Sequence, residues 1–181
     1  TYSISLFRII GSNPTSLTLN NFTFANNELI CIPQGSGSVG FIGATTVYVN
    51  NSVFTNNSGF VKTSDSEEFD YKSNLISCTN GVISNTVIEN NKAMAILGNN
   101  INLTNCTFKN NTGVSNSRTG FSAMVNIMNS GNVSDCKFID NTLNINNSQA
   151  YNSEPRGALK ITNGTVTNCI FENNTIKCNS V

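Results

Sequence analysis

No histidine occurs among the 181 residues, and only 11% are charged, with ten Lys and Arg against ten Asp and Glu. A chain with no net charge and no Lys or Arg cluster argues against a nucleic-acid partner, which demands concentrated positive charge. No run of 18 apolar residues is present, so no membrane-spanning helix is expected. No leader with a basic start and an apolar middle precedes TYSISLFRII, as expected of a mature or excised segment. Carboxylates are scarce too, and acid–base or lyase chemistry on polysaccharides needs them clustered. The only acidic cluster is Asp65, Glu67, Glu68 and Asp70, inside the longest insertion, where a solvated loop is the expected reading. Glu89 and Glu172 share an outward column but stand three repeats apart, more than about 10 Å at strand spacing. No catalytic, cofactor-binding or metal-ligating residue is therefore assigned, and a polysaccharide lyase or hydrolase is the remote alternative.

Polarity without charge is what the chain has in excess: 34 asparagines and 40 Ser plus Thr. That composition often means disorder, but here apolar residues recur in register. The octets NCTFKNNT (105–112), DCKFIDNT (135–142) and NCIFENNT (168–175) are versions of one unit. Anchored on a central aromatic or aliphatic residue, six copies appear, at Phe24, Phe54, Ile88, Phe108, Phe138 and Phe171. Three positions after each anchor stand Asn27, Asn57, Asn91, Asn111, Asn141 and Asn174. Asn or Asp also fills the positions three before and two after every anchor, and an aliphatic residue stands five before. The consensus is [LIV]-x-[ND]-x-x-[FI]-x-[ND]-N.

Successive anchors lie 30, 34, 20, 30 and 33 residues apart. Only short segments of period-2 alternation fit between the asparagines, and periods of this length signify a solenoid. The fold expected is all-β: a right-handed, single-stranded parallel β-helix of about six rungs, with Asn and Phe ladders along its axis. Right-handedness follows the usual crossover preference, and six rungs at strand spacing give a rod about 30 Å long. Asparagine suits the corners because it tolerates left-handed backbone and its amide both donates and accepts. Asp135 and Asp140 accept but cannot donate when ionised, so the fifth repeat is expected to be the weakest in those columns. The whole chain, 1–181, is one domain open at both ends, with loop insertions at 58–72, 112–120 and 142–155. No polar cap is evident at either end, so the chain is expected to be a slice of a longer rod or to stack head to tail.

These residues resemble a known family. FKNN (108–111), FIDN (138–141) and FENN (171–174), with RGAL at 156–159, are similar to the FxxN and GGA[ILV] tetrapeptides of chlamydial polymorphic outer membrane proteins. FxxN also falls on Phe24 to Asn27 and Phe54 to Asn57, whereas Ile88 replaces Phe in the third copy and Arg156 the first Gly of the second motif. The resemblance implies a surface-exposed, passenger-like module, often adhesive, and the membrane barrel of such proteins is not in this sequence.

Cysteine and glycosylation are the remaining signals. Cys106, Cys136 and Cys169 share one column, two before the anchor, readable as a stack of small buried residues or as one inter-rung disulfide. Cys31 and Cys178 each lie seven after an anchor, in the first and last copies, so end-to-end stacking would bring one over the other. Six cysteines favour an oxidising compartment. Ten sequons N-x-[ST] occur, although 34 asparagines with Ser or Thr at about 22% of positions supply most of them by composition. Asn50, Asn102, Asn132 and Asn163 have outward parity, Asn146 is in a loop, and Asn56, Asn110 and Asn173 share a corner, so these eight are glycan candidates. Asn21 and Asn105 belong to a ladder expected to be buried. The functional expectation is a non-enzymatic extracellular or cell-surface structural protein, N-glycosylated and stacking end to end, with an adhesin-type passenger segment as the alternative. No cofactor is expected beyond covalent N-glycans.

Overall fold

A computed structural model describes residues 2–8, 15–31, 37–62, 69–70, 73–115, 123–146 and 157–179. Among the described residues, the twelve non-glycine positions with positive φ, at 48–58°, are the Asn or Asp three before and two after each of the six anchors. These left-handed residues end one strand and aim the next, and Asn is there because it bears that conformation at least cost among non-glycine residues.

The chain runs as coils whose strands pair with their counterparts in neighbouring coils. Coil one contains β1 (Tyr2–Arg8), β2 (Ser16–Asn20), β3 (Thr23–Ala25) and β4 (Glu28–Cys31). Coil two contains β5 (Gly37–Asn50), β6 (Val53–Thr55) and β7 (Ser58–Lys62), followed by the short β8 (Phe69–Asp70). Coil three has only β9 (Asn74–Ser84) and β10 (Val87–Glu89). Coil four has β11 (Met94–Thr104), β12 (Thr107–Lys109) and β13 (Thr112–Ser115). Coil five has β14 (Ala123–Ser134), β15 (Lys137–Ile139) and β16 (Thr142–Asn146), and coil six β17 (Gly157–Thr167), β18 (Ile170–Glu172) and β19 (Thr175–Asn179). A long wall has the order β1-β5-β9-β11-β14-β17, with β2 beside β5, and a short wall runs β18-β15-β12-β10-β6-β3. Both are parallel throughout, and the anchors meet in register from Phe24 against Phe54 to Phe138 against Phe171. This is a parallel β-solenoid, and no helix occurs among the described residues.

A third wall changes two expectations. Residues 58–62, 112–115 and 142–146, read from sequence as the starts of loops, are strands β7, β13 and β16. The rest of those insertions lies outside the described residues, apart from β8. The third wall is also split into β4-β7-β8 and β13-β16-β19, because the 20-residue circuit from Ile88 to Phe108 leaves coil three only a bridge, Ser58 to Lys92. Five of the six coils thus have strands on all three walls, slightly fewer closed turns than the anchors suggest. The antiparallel β8 pairs with the far half of β7, on the side where coil three would have placed a strand. The longest insertion partly fills what the shortest coil leaves out.

The core lies between the walls. Val49, Ile83, Leu103 and Val133, five before their anchors, are buried, as are Phe54, Ile88, Phe108 and Phe138. Phe108, Phe138 and Phe171 stack face to face with centroids 4.7 Å apart and planes within 8°. Lower down, Ile88 interrupts the stack and the rings tilt, Phe24 against Phe54 at 43°.

The two ends differ. At coil one Leu17, Leu19 and Phe24 are only 5–8% exposed, whereas at coil six Val166 and Phe171 are about half exposed. Phe22, in a column that is small in every later coil, packs beside the rings of both Phe24 and Phe54, with centroids 6.1 and 6.2 Å away.

Candidate functional site

The candidate features are the side-chain columns themselves. In the column three after the anchor, Asn57, Asn91, Asn111 and Asn141 are buried. Each amide does three things. Asn111 Oδ1 accepts from the backbone N–H and the Nδ2 of Asn91, at 3.1 and 2.9 Å. Asn111 Nδ2 donates to Asn141 Oδ1 at 3.0 Å and to the Ile88 carbonyl at 2.8 Å. Asn57, Asn91 and Asn141 repeat the scheme, and the column runs unbroken from Asn27 to Asn174. A buried amide left unpaired is costly, so continuity is the condition for asparagine to be inside at all. The ladder has a direction: each Asn donates towards the following coil.

The corner columns behave differently. Asn21 and Asn105, expected to be buried, are exposed, as is the whole column three before the anchor. Strand parity would put this column on the same side as the buried aliphatic residue two before it. The positive φ there breaks the alternation and turns the side chain out. Its amides also form a ladder, but with the opposite sense: Asn105 Nδ2 donates back to Asn85 Oδ1 at 2.8 Å, and Asn168 Nδ2 to Asp135 Oδ1 at 3.2 Å. On the long wall, Asn100 Nδ2 donates to Asn80 Oδ1 at 2.9 Å, and Asn129 Nδ2 to Asn100 Oδ1 at 2.9 Å. That last ladder was not foreseen, because it lies outside the anchored unit and shows only in register.

Among the glycan candidates, Asn56, Asn102, Asn132, Asn163 and Asn173 are exposed, and their amide nitrogens make no bond among the described residues. Asn50 Nδ2 donates to Asn20 and its Oδ1 accepts from Ser84 and Asn85, and Asn110 Nδ2 donates to Asn90, so these two are tied into ladders. Asn146 is in β16 rather than a loop; its side chain lies outside the described residues. Asn102 and Asn132 occupy adjacent coils, the Asn132 N–H donating to Asn102 Oδ1 at 3.0 Å. With Asn100, Asn163, Gly131 and Gly164 they line a neutral bowl of about 410 Å3 on the outer long wall. A Cβ on either glycine would collide with the carbonyl of the coil below, so the bowl floor is bare backbone.

The cysteine column contains no disulfide. Cys106, Cys136 and Cys169 are free thiols, and so is Cys78. Each sulfur of the column donates to the carbonyl two residues earlier, Cys136 to Ser134 at 3.1 Å and Cys169 to Thr167 at 3.2 Å. The Ser52 and Thr86 hydroxyls in the same column make the same bond, at 2.8 and 2.7 Å. The sulfurs do the work of hydroxyls here, which satisfies them as thiols and fits the reading of the column as a stack of small residues. The Cys106 thiol and burial push Cys136 up, and burial alone pushes Cys78 up to about 12. The side chains of Cys31 and Cys178 lie outside the described residues.

Glu89 pairs in register with Lys109, and Glu172 lies three coils beyond Glu89 in the same outward column. Among the described residues, no three His, Cys, Asp or Glu side chains come together in a group able to hold a metal. Of the run Asp65, Glu67, Glu68 and Asp70, only Asp70 falls within the described residues. Compared with known proteins, the chain matches no family model, no curated protein and no solved structure.

Proposed function

We propose that the protein is a non-enzymatic structural module of the extracellular space or cell surface, a rigid rod that carries N-glycans and stacks end to end. The continuous buried asparagine ladder carries this reading. Coil-to-coil amide bonds, repeated from Asn27 to Asn174, make the chain stiff along one axis and give each coil value only beside another. The outer surface supports display, since the sequon residues Asn56, Asn102, Asn132, Asn163 and Asn173 are exposed and their amide nitrogens are not tied into ladders. Free thiols at four cysteines mean that the extracellular assignment rests on the sequons rather than on disulfides. The likeness to passenger-type FxxN repeats agrees with such a role.

Secretion from eukaryotic cells followed by glycosidase treatment and negative-stain microscopy tests the reading. Expected are a mass shift, with occupancy at Asn56, Asn163, Asn173 and one of the Asn102–Asn132 pair, and particles that lengthen with concentration. Adjacent coils are about 4.8 Å apart, too close for two glycans to project side by side. Unglycosylated single particles at every concentration would overturn it.

An adhesin-type reading is favoured by one feature, the neutral bowl at Asn102, Asn132 and Asn163. Uncharged amides around bare backbone suit a neutral polyhydroxylated surface ligand. Glycans on those same asparagines would fill the bowl, so the two readings compete for it.

A further inference from the structure

Coil six ends in an unfinished interface. Val166, Phe171 and Ile176 are 44–50% exposed, while their register partners in coil five, Val133, Phe138 and Leu143, are buried. Strands β17, β18 and β19 each pair on one side only. The backbone N–H of Asn174 and one proton of its Nδ2 stand where, in every earlier coil, the next Oδ1 is met. Asn168 Oδ1 is likewise an open acceptor, since this outer ladder donates backwards.

Coil one has the complement of each. Its strands β3 and β4 pair only with coil two. Asn27 Oδ1 lacks the preceding coil from which every later copy accepts, and Asn21 Nδ2 lacks the coil to which it would donate backwards. Phe22, the one large residue of its column, would sit over Cys169, a small one. A two-fold pairing of coil six with itself fails on the same grounds: it sets donor against donor and turns parallel edges antiparallel. The match is heterologous, which gives open-ended growth.

The third wall adds a chemical feature. Cys31 pairs in register with Val61, and Ser115, Ile145 and Cys178 follow one another in the same column. This column is buried at Ile145. Its two outermost members are both cysteines.

We infer that a second copy of this chain docks its first coil on coil six, and that Cys178 of one copy and Cys31 of the next close the joint as a disulfide. The inference rests on the end-to-end stacking proposed above. Adjacent coils put Cα atoms about 4.8 Å apart, inside the range a disulfide spans. The oxidant is a small-molecule disulfide. One cysteine thiolate attacks it and expels one thiolate. The facing cysteine then displaces the second thiolate from the mixed disulfide, so two protein thiols are oxidised and one disulfide is reduced to two thiols.

The test uses the full chain carrying C169S, since Ser52 shows that a hydroxyl fits that column, in a glutathione redox buffer, read on non-reducing gels. The C169S chain is expected to give a ladder of covalent multiples, lost on reduction. Adding C31S or C178S alone should leave only monomer, and an equimolar mixture of the two should give dimer and nothing longer. Unchanged thermal melts establish that these variants fold. A dimer from the C31S chain alone would mean tail-to-tail pairing and overturn the inference. Filaments by microscopy without the covalent ladder would overturn the disulfide and keep the stacking; neither filaments nor ladder would overturn both.

Discussion

Two sets of asparagines, both repeated in every coil but for two aspartates at the corners, do opposite work. In the column three after the anchor the amide is buried and fully bonded, and the backbone is ordinary. In the columns three before and two after, the backbone is left-handed and the side chain is outside. The first set is chosen for its amide, the second for its tolerance of positive φ. Changing the side chain should therefore be severe in one set and mild in the other, and changing the backbone preference the reverse.

Asn111→Ala is the largest break. It strands the Asn91 N–H and one Asn91 Nδ2 proton inside the solenoid, and takes the second donor from the Ile88 carbonyl. Unmet buried groups cost about 1–3 kcal/mol each, so a loss of about 4 kcal/mol is expected. Urea denaturation at unchanged slope would measure it. Asn174→Ala, half-exposed at the open end, should cost much less. Equal losses at the two positions would mean that the ladder is not what holds the coils.

How much of this was legible in the sequence follows from the same residues. The anchors and the buried column were plain, because Phe108, Phe138 and Asn111 recur at fixed offsets and stack on their likenesses. The exposure of Asn21 and Asn105 was hidden, because parity predicts burial until a left-handed residue shifts the count by one. The third wall escaped because Ser58–Lys62, Thr112–Ser115 and Thr142–Asn146 are four or five residues long and run into insertions of unlike sequence. The bonding of Cys106, Cys136 and Cys169 as hydroxyl equivalents shows only beside Ser52 and Thr86, where sequence alone left a disulfide open.

The exposed set sharpens the contrast at smaller scale. Asn105 has φ of 52° and one ladder bond, to Asn85. Asn105→Ala puts a Cβ residue without amide compensation in left-handed space, an expected loss of about 1–2 kcal/mol. Asn105→Gly loses the same bond but suits the backbone, so its cost should be less than half that of Ala. The pair of melts decides whether the corner needs the conformation or the amide. At Asn111 the order should vanish, with Gly no better than Ala.

Coil five offers the least perturbing test, and one in the stabilising direction. Asp135 accepts from Asn168 but, as a carboxylate, has nothing to donate to Asn105 Oδ1, so the outer ladder that joins Asn85 to Asn105 stops there. Asp135→Asn keeps the acceptor and supplies the missing donor with no change of shape. Because the site is exposed, one restored bond should be worth only about 0.5 kcal/mol, read as a small rise in the denaturation midpoint. A gain of several kcal/mol would mean that the outer ladder bears load like the inner one, and the division of labour between the two sets of asparagines would have to be given up.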